Sequence, residues 1–330
     1  MIHRLTKVLA VFCFICSVLG IYTGNANAKP VVVNVAYENN PGEPIDIALK
    51  KWVELARERS NGQLELKLYP SSQLGAKKDI MEQMSMGLNV ITIADAGFLA
   101  DYVPDFGILV GPYLAPSKEK LYELVETDWY KGLGKQLEQK GLHLIASNWL
   151  YGTRHMVTKK PVRTPEDLQG MKIRVPNNRI QIAAIKAMGG TPTPMPLGEV
   201  YSALTQGVID GAENPLSVLY GQKLHEPAQY LDMVGYLDML IVWIGGQSFI
   251  ETMPPDLVKI FEETGKEIGV FTHTLMAEKD NEILEKMKAE GVTVIEPDRD
   301  AFRKLAVDVY DQFPEWTPGL FEKIQSLMNE

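Results

Sequence analysis

Past residue 28 the chain has no cysteine. Its only two, Cys13 and Cys16, fall inside an apolar N-terminal run. Disulfides, thiolate metal sites and cysteine nucleophiles are thereby excluded from everything that follows. A basic stripe is missing as well. The formal net charge is −9, with 33 Lys and Arg against 42 Asp and Glu and no run of like charges. Nucleic acid, whose phosphates demand clustered Lys and Arg, is not expected as a partner. After the N-terminus no apolar run approaches the roughly 20 residues of a membrane-spanning helix. His143, His155, His225 and His273 are scattered, without the spacing of a zinc site. There is no G-x-S-x-G elbow, phosphate-binding loop or G-x-G-x-x-G motif. Carboxylates are abundant, but no spacing singles out a glycosidase pair. No catalytic residue, cofactor or metal ion is expected.

What is present is the composition of a soluble globular protein, 45% hydrophobic and 23% charged. Its 330 residues suffice for two domains. The first 28 residues read as an export signal. Arg4 and Lys7 precede an apolar run over 8–22, and the small-residue pattern Ala26-Asn27-Ala28 follows, so cleavage is expected after Ala28. Phe12 and Ile15, not small residues, precede the cysteines, which argues against a lipid anchor. The remainder is expected to be periplasmic, soluble and monomeric.

From residue 31 onward, strand and helix patterns alternate. VVVNVA (31–36) is a β-branched buried strand. Ile45, Leu49, Trp52, Val53 and Ala56 recur at helical spacing and stop at Asn61-Gly62. Leu64, Leu66 and Leu68 alternate with polar residues up to Pro70. A helix through Ile80 and Met84 ends at Gly87, and VITIA (90–94) is a third strand, with Asp95 at its end. This alternation predicts an α/β sheet. Ligands of such sheets sit beyond the carboxyl ends of the strands, which brings Glu38, Asn39 and Asp95 to one edge. A strand over 142–146 is expected, then a polar-aromatic loop, NWLYGTRH (148–155), leading to a second α/β unit. A strand over 237–244 returns to the first sheet. From 255 to 290 the pattern is one long helix, with Gly265 and Gly269 as potential bends.

The second unit holds the sharpest signal. Arg174 stands in an otherwise apolar strand beside Met171, Ile173 and Val175, and Asn214 follows a second strand-like run. A buried guanidinium requires an anion, because an unpaired buried charge is very costly. Its planar fork fits a carboxylate in two parallel hydrogen bonds. That anion is either the carboxylate of a small ligand or one of the protein's own acids, Asp210 or Glu213. Other residues carry similar pairs of readings. Arg154 is a ligand contact or a solvated loop residue, Asn214 a ligand amide or a turn residue before Pro215, and Asp95 a ligand acceptor or a helix cap. Trp149 and Tyr151 are pocket walls or core. Glu38 and Asn39 are ligand contacts or a plain turn.

Three stretches, LYPSSQLGAKKDIMEQMSMG (68–87), TPEDLQGMKIRVPN (164–177) and GTPTPMPLGEVYSALTQGVIDGAENP (190–215), resemble the extracytoplasmic solute-binding proteins of tripartite ATP-independent periplasmic (TRAP) transporters, in the order and spacing of that family. The resemblance covers nearly all of the chain after the signal. It implies a two-lobed α/β fold with a hinge, a long helix spanning both lobes, and a ligand enclosed between them. It maps the carboxylate clamp onto Arg174, its amide partner onto Asn214, a second arginine onto Arg154 and an acidic strand end onto Asp95. Where sialic-acid-binding members carry an aromatic, this chain has Leu197, which points away from sialic acid. The expected domains are 29–151 with 240–280, and 152–239 with 281–330.

The function expected is capture of a small organic acid through the Arg174 carboxylate clamp, and its delivery to the TRAP membrane permease. A sugar acid such as a uronate fits the polar groups of the far lobe. An aromatic or 2-oxo acid is the second reading, from Trp149 and Tyr151. An exported sensor module and an exported hydrolase are the remaining alternatives.

Overall fold

The computed structural model describes residues 29–329, so the expected signal segment lies outside the described residues. Strand β1 (Val31–Ala36) pairs in parallel with β2 (Leu64–Tyr69) on one side and β3 (Val90–Ala94) on the other. Helix α1 (Pro44–Arg59) joins the first two. Proline in its first turn suits the helix start, and Ile45, Leu49, Trp52 and Ala56 form its buried stripe. Asn61 and Gly62, both at positive φ, end it. Helix α2 (Lys77–Ser85) leads to β3, whose five residues are all buried, as befits a strand covered on both faces.

After the short α3 (Ala96–Leu99) and a 3-10 segment, helices α4 (Lys118–Val125) and α5 (Asp128–Glu138) lead into β4 (Leu142–Thr158). Here the structure corrects the sequence reading. Residues 148–155 are not a loop; they continue a single strand of 17 residues. The short strands of the second half follow: β5 (Lys172–Val175), β6 (Thr191–Pro194) and β7 (Gly211–Pro215), with α6 (Arg179–Ala187) and α7 (Val200–Thr205) between them. Helix α8 (Leu216–Gly221) precedes β8 (Tyr230–Gly246), also 17 residues and longer than the apolar run expected there.

All the strands form one sheet, in the order β2-β1-β3-β8-β4-β7-β5-β6. The end of β8 pairs antiparallel with β3, and the end of β4 with β7. The two long strands therefore join the two halves of the sheet, antiparallel to each other. Their register slips at four places, including Leu150/Gly152 and Arg154/Met156. Such bulges bend a strand and re-aim its side chains.

Beyond α9 (Gln247–Ile250), helix α10 (Pro255–Ala289) extends unbroken for 35 residues. It packs on α1, β4 and α8. Gly265 and Gly269 are contact points within it. A Cβ on Gly265 would sit 2.9 Å from the Trp52 ring, and one on Gly269 would overlap the Asn148 side chain. Trp149 Nε1 donates to Gly265 O at 2.8 Å and Leu150 N to Thr272 Oγ1 at 2.8 Å, fastening the helix across the middle of β4. Strand β9 (Thr293–Ile295) joins β8, and α11 (Arg299–Ala306) and α12 (Leu320–Asn329) close the fold. Trp52, Trp149, Trp243 and Phe261 pack together with ring centroids 5.0–5.8 Å apart. Among the described residues no helix is long and apolar enough to cross a membrane.

Candidate functional site

Strand β5 carries a charge into the sheet near its end. Ile173 and Val175 are buried on either side of Arg174, which is itself only 3% exposed. Its Nε and Nη2 both donate to Met195 O, at 3.0 and 2.8 Å. No carboxylate of the described residues lies within ion-pair distance of it; Asp210 instead accepts from Lys172 N. Burial pulls the Arg174 pKa below the usual guanidinium value, and the fields of Glu213 and Glu38 pull it back only in part. Asn214, on the neighbouring β7, is equally buried, and its Nδ2 has no hydrogen-bond partner among the described residues.

Both side chains line a cavity of about 300 Å³. Tyr151, Arg154, Met239 and Ile241, from the two long strands, form its floor. Glu38 and Asp95 enter from the carboxyl ends of β1 and β3, on the edge expected for an α/β sheet. Leu197 lines it beside Met195 and Pro196. The volume is at the lower end of small-molecule pockets, whose range begins at about 300 Å³.

Arg154 lines the cavity but is not the solvated loop residue of its second reading. It is a buried strand residue, and its fork is already filled. Nε meets Glu213 Oε2 at 2.5 Å and Nη2 meets Glu213 Oε1 at 2.7 Å. Burial alone would lower its pKa; the Glu213 carboxylate outweighs burial and raises it. The Tyr236 hydroxyl also donates to Glu213 Oε2. The internal acid considered for Arg174 thus belongs to Arg154. Met239 Sδ accepts from the remaining Nη1 at 3.4 Å.

Asp95 caps a helix and also lines the cavity. Its Oδ1 accepts from Gly97 N of α3 at 3.0 Å. Burial raises its pKa, opposed by Lys77 and Arg154. Two expected residues lie elsewhere. Trp149 is fully buried in the tryptophan cluster under α10, so it is core and not a pocket wall. Asn39 does not line the cavity; its Nδ2 donates to Glu43 Oε2 at 2.7 Å and reaches the Tyr151 hydroxyl at 3.4 Å. Lys77 was missed by the sequence reading. Its ammonium lies 2.9 Å from Glu38 Oε2, 3.9 Å from Asp95 Oδ2 and 4.7 Å from the Phe98 ring centre. The available signal was its place in LGAKKDI, one of the stretches that carry the resemblance. Among the described residues no group of three or more His, Cys, Asp and Glu side chains is placed to hold a metal ion.

The cavity thus has a buried cation with donors to spare at one end and a Glu-Lys-Asp cluster at the other. The model of the bacterial extracellular solute-binding proteins, family 7, matches residues 35–315. The chain belongs to this family. It is a solute-binding protein, not an enzyme. A TRAP periplasmic solute-binding protein of Ochrobacterium anthropi, solved with bound L-fuconate, is 54% identical and superposes with a TM-score of 0.90, covering 91% of this chain and 100% of that one. One from Actinobacillus succinogenes, with bound L-galactonate, is 42% identical with a TM-score of 0.89, covering 91% and 99%. The 2,3-diketo-L-gulonate-binding periplasmic protein of Escherichia coli is 31% identical over 285 residues, 86% of this chain and 87% of that protein. The two-lobed α/β fold expected from the sequence is the fold of these TRAP proteins. The family of this solute-binding protein is also a periplasmic one.

Proposed function

We propose that the protein captures a sugar acid, with an open-chain polyhydroxy carboxylate as the favoured class, and delivers it to a TRAP membrane permease. The observation that carries the reading is Arg174, a buried guanidinium without an acid partner among the described residues, beside an Asn214 amide that lacks an acceptor among them. A carboxylate supplies what both require. The hydroxyls of the ligand then reach Glu38, Lys77 and Asp95, while Leu197, Phe98 and Ile241 cover its carbons. Arg154, its fork held by Glu213, shapes the floor. L-fuconate and L-galactonate in the two similar structures favour an open chain over the uronate ring first expected. An aromatic acid loses support with the burial of Trp149.

In this reading the lobes are 29–151 with 240–280 and 152–239 with 281–330. They close about the bulged middle of β4 and β8, because ligand contacts to both lobes favour the closed form. The chain is exported with cleavage after Ala28 and acts as a monomer. Calorimetric titration of a panel of aldonates, uronates and 2-oxo sugar acids tests the proposal, with the matching neutral sugar alcohols as controls. One acid should bind at micromolar or lower Kd, and Arg174→Ala should lose about 2–5 kcal/mol of that binding. Equal binding of acid and alcohol, or undiminished affinity in the variant, would remove the clamp.

A further inference from the structure

Side chains alternate between the two faces of a strand. Arg154 and Met239 face the sugar-acid cleft, so their neighbours Thr153 and Asp238 face the other way. These two stand opposite each other in the β4–β8 register, joined by a hydrogen bond from Thr153 Oγ1 to Asp238 Oδ1 at 2.5 Å. They line a second cavity of about 410 Å³, behind the floor of the first. Three cations line it: Lys118 at the start of α4, and Arg299 and Arg303, one turn apart on α11. Among the described residues none of the three has a carboxylate within ion-pair distance. That is notable in a chain where acids outnumber bases.

The two arginines are held in place. Arg299 Nε donates to Val234 O at 3.1 Å, and its guanidinium lies directly over Gly235, where a Cβ would overlap Nη2. Gly235 is at φ +55°, so the position favours glycine on both counts. Arg303 stacks 5.3 Å from the ring centre of Tyr113, whose backbone N donates to Tyr236 O at 2.7 Å. One short segment of β8, residues 234–236, thereby orients both guanidiniums. Buried His155 packs against the same segment. Burial first, then Arg299 and Lys118 from two different elements, lower its pKa to about 3, and its Nδ1 stays an acceptor for Gly235 N at 3.2 Å. Two acids also line the wall, Asp238, which accepts from Thr153 Oγ1, and the exposed Glu119; three cations against these two carboxylates leave the lining with one positive charge in excess.

We propose that this second cavity binds a small oxyanion of the phosphate class, held by Arg299, Arg303 and Lys118. Arginine forks suit such an oxyanion, and the lysine adds a third, point-like donor. The bound anion ties the segment before α4 to α11 across the back of the cleft. The proposal is independent of the sugar-acid reading, because no residue is shared between the two cavities.

The probe is inorganic phosphate, titrated calorimetrically into the Arg174→Ala protein so that the cleft arginine cannot supply the signal. The expected result is saturable binding of one phosphate per chain, weakened about tenfold or more by adding Arg303→Gln or, on a different element, Lys118→Gln. Neither side chain donates a hydrogen bond that holds the fold, and unchanged melting curves would verify that both variants are folded. Failure to saturate in the Arg174→Ala protein would overturn the proposal. So would phosphate affinity indifferent to both added substitutions.

Discussion

Two arginines, twenty positions apart in sequence and equally buried, differ in what they do for the fold. Arg154 is matched by Glu213, which is itself fully buried and shared with Tyr236. Truncating one partner of such a pair leaves the other charged and unpaired, at a cost of about 3–5 kcal/mol. Arg174 has no such partner to strand; removing it forfeits two hydrogen bonds to Met195 O and relieves a buried charge. Arg154→Met should therefore lower the melting temperature of the ligand-free protein by many degrees. Arg174→Met should shift it little or upward while destroying sugar-acid binding. Thermal melts of the two variants with and without ligand make the comparison. Equal destabilisation by both would mean that Arg174 is structural. The sequence pointed to Arg174 because a cation within an apolar strand is conspicuous, and to Arg154 only through the family resemblance. It could not say which of them takes Glu213. That acid lies 59 positions from Arg154 and is brought beside it only by the β4–β7 pairing. Lys77 stayed hidden for the opposite reason: a lysine near a helix start looks like any solvated one until Glu38 and Asp95 are seen to converge on it.

The elements were legible where their pattern has one period. β1, β2, β3 and α10 follow from β-branched runs, strict alternation or sustained helical spacing. The long strands did not, since β4 carries Asn148, Gly152, Thr153 and Arg154 in mid-strand and β8 carries Asp232 and Asp238. Those polar residues face the two cavities or make internal hydrogen bonds, and the bulges interrupt the period of two. A strand that floors two cavities therefore reads as a loop. Gly265 was legible as a glycine in a helix, but its purpose lay in the packing. Alanine is the better helix former by about 1 kcal/mol, yet here its Cβ would meet the Trp52 ring at 2.9 Å and Ala146 Cβ at 3.2 Å. Overpacking of this kind costs about 1–3 kcal/mol. Gly265→Ala should accordingly lower stability in chemical denaturation despite its helix propensity. A gain in stability would show that α10 can lift from β4 without loss.

At the scale of the whole molecule, the two lobes as proposed meet on either side of the cavity. On one side Asn178 Nδ2 lies 3.4 Å from Asp95 Oδ1. On the other, Asn40 Nδ2 donates to Gly221 O at 3.0 Å, and Gln222 Nε2 to Glu38 O at 3.2 Å. Gly221 closes α8 against the buried Glu43 side chain, and a Cβ there would come within 2.5 Å of Glu43 Cγ and Cδ. Glu43 cannot swing aside freely, because its carboxylate accepts from Asn39 Nδ2 and from Asn40 N. In the proposed division of the lobes its position is fixed by the first, and α8 belongs to the second. A methyl group on Gly221 is therefore harmless when the lobes are apart and obstructive when they close. By disfavouring only the closed form, Gly221→Ala should weaken sugar-acid binding roughly tenfold, since apparent affinity scales with the population able to bind. The ligand-free melting temperature should hardly change. Small-angle scattering should register a fall in radius of gyration when ligand saturates the wild-type protein, and less compaction in the variant at equal ligand concentration. Wild-type affinity in Gly221→Ala would show that capture does not require the α8–Glu43 contact, and closure would then have to be sought at the Asn178–Asp95 side alone.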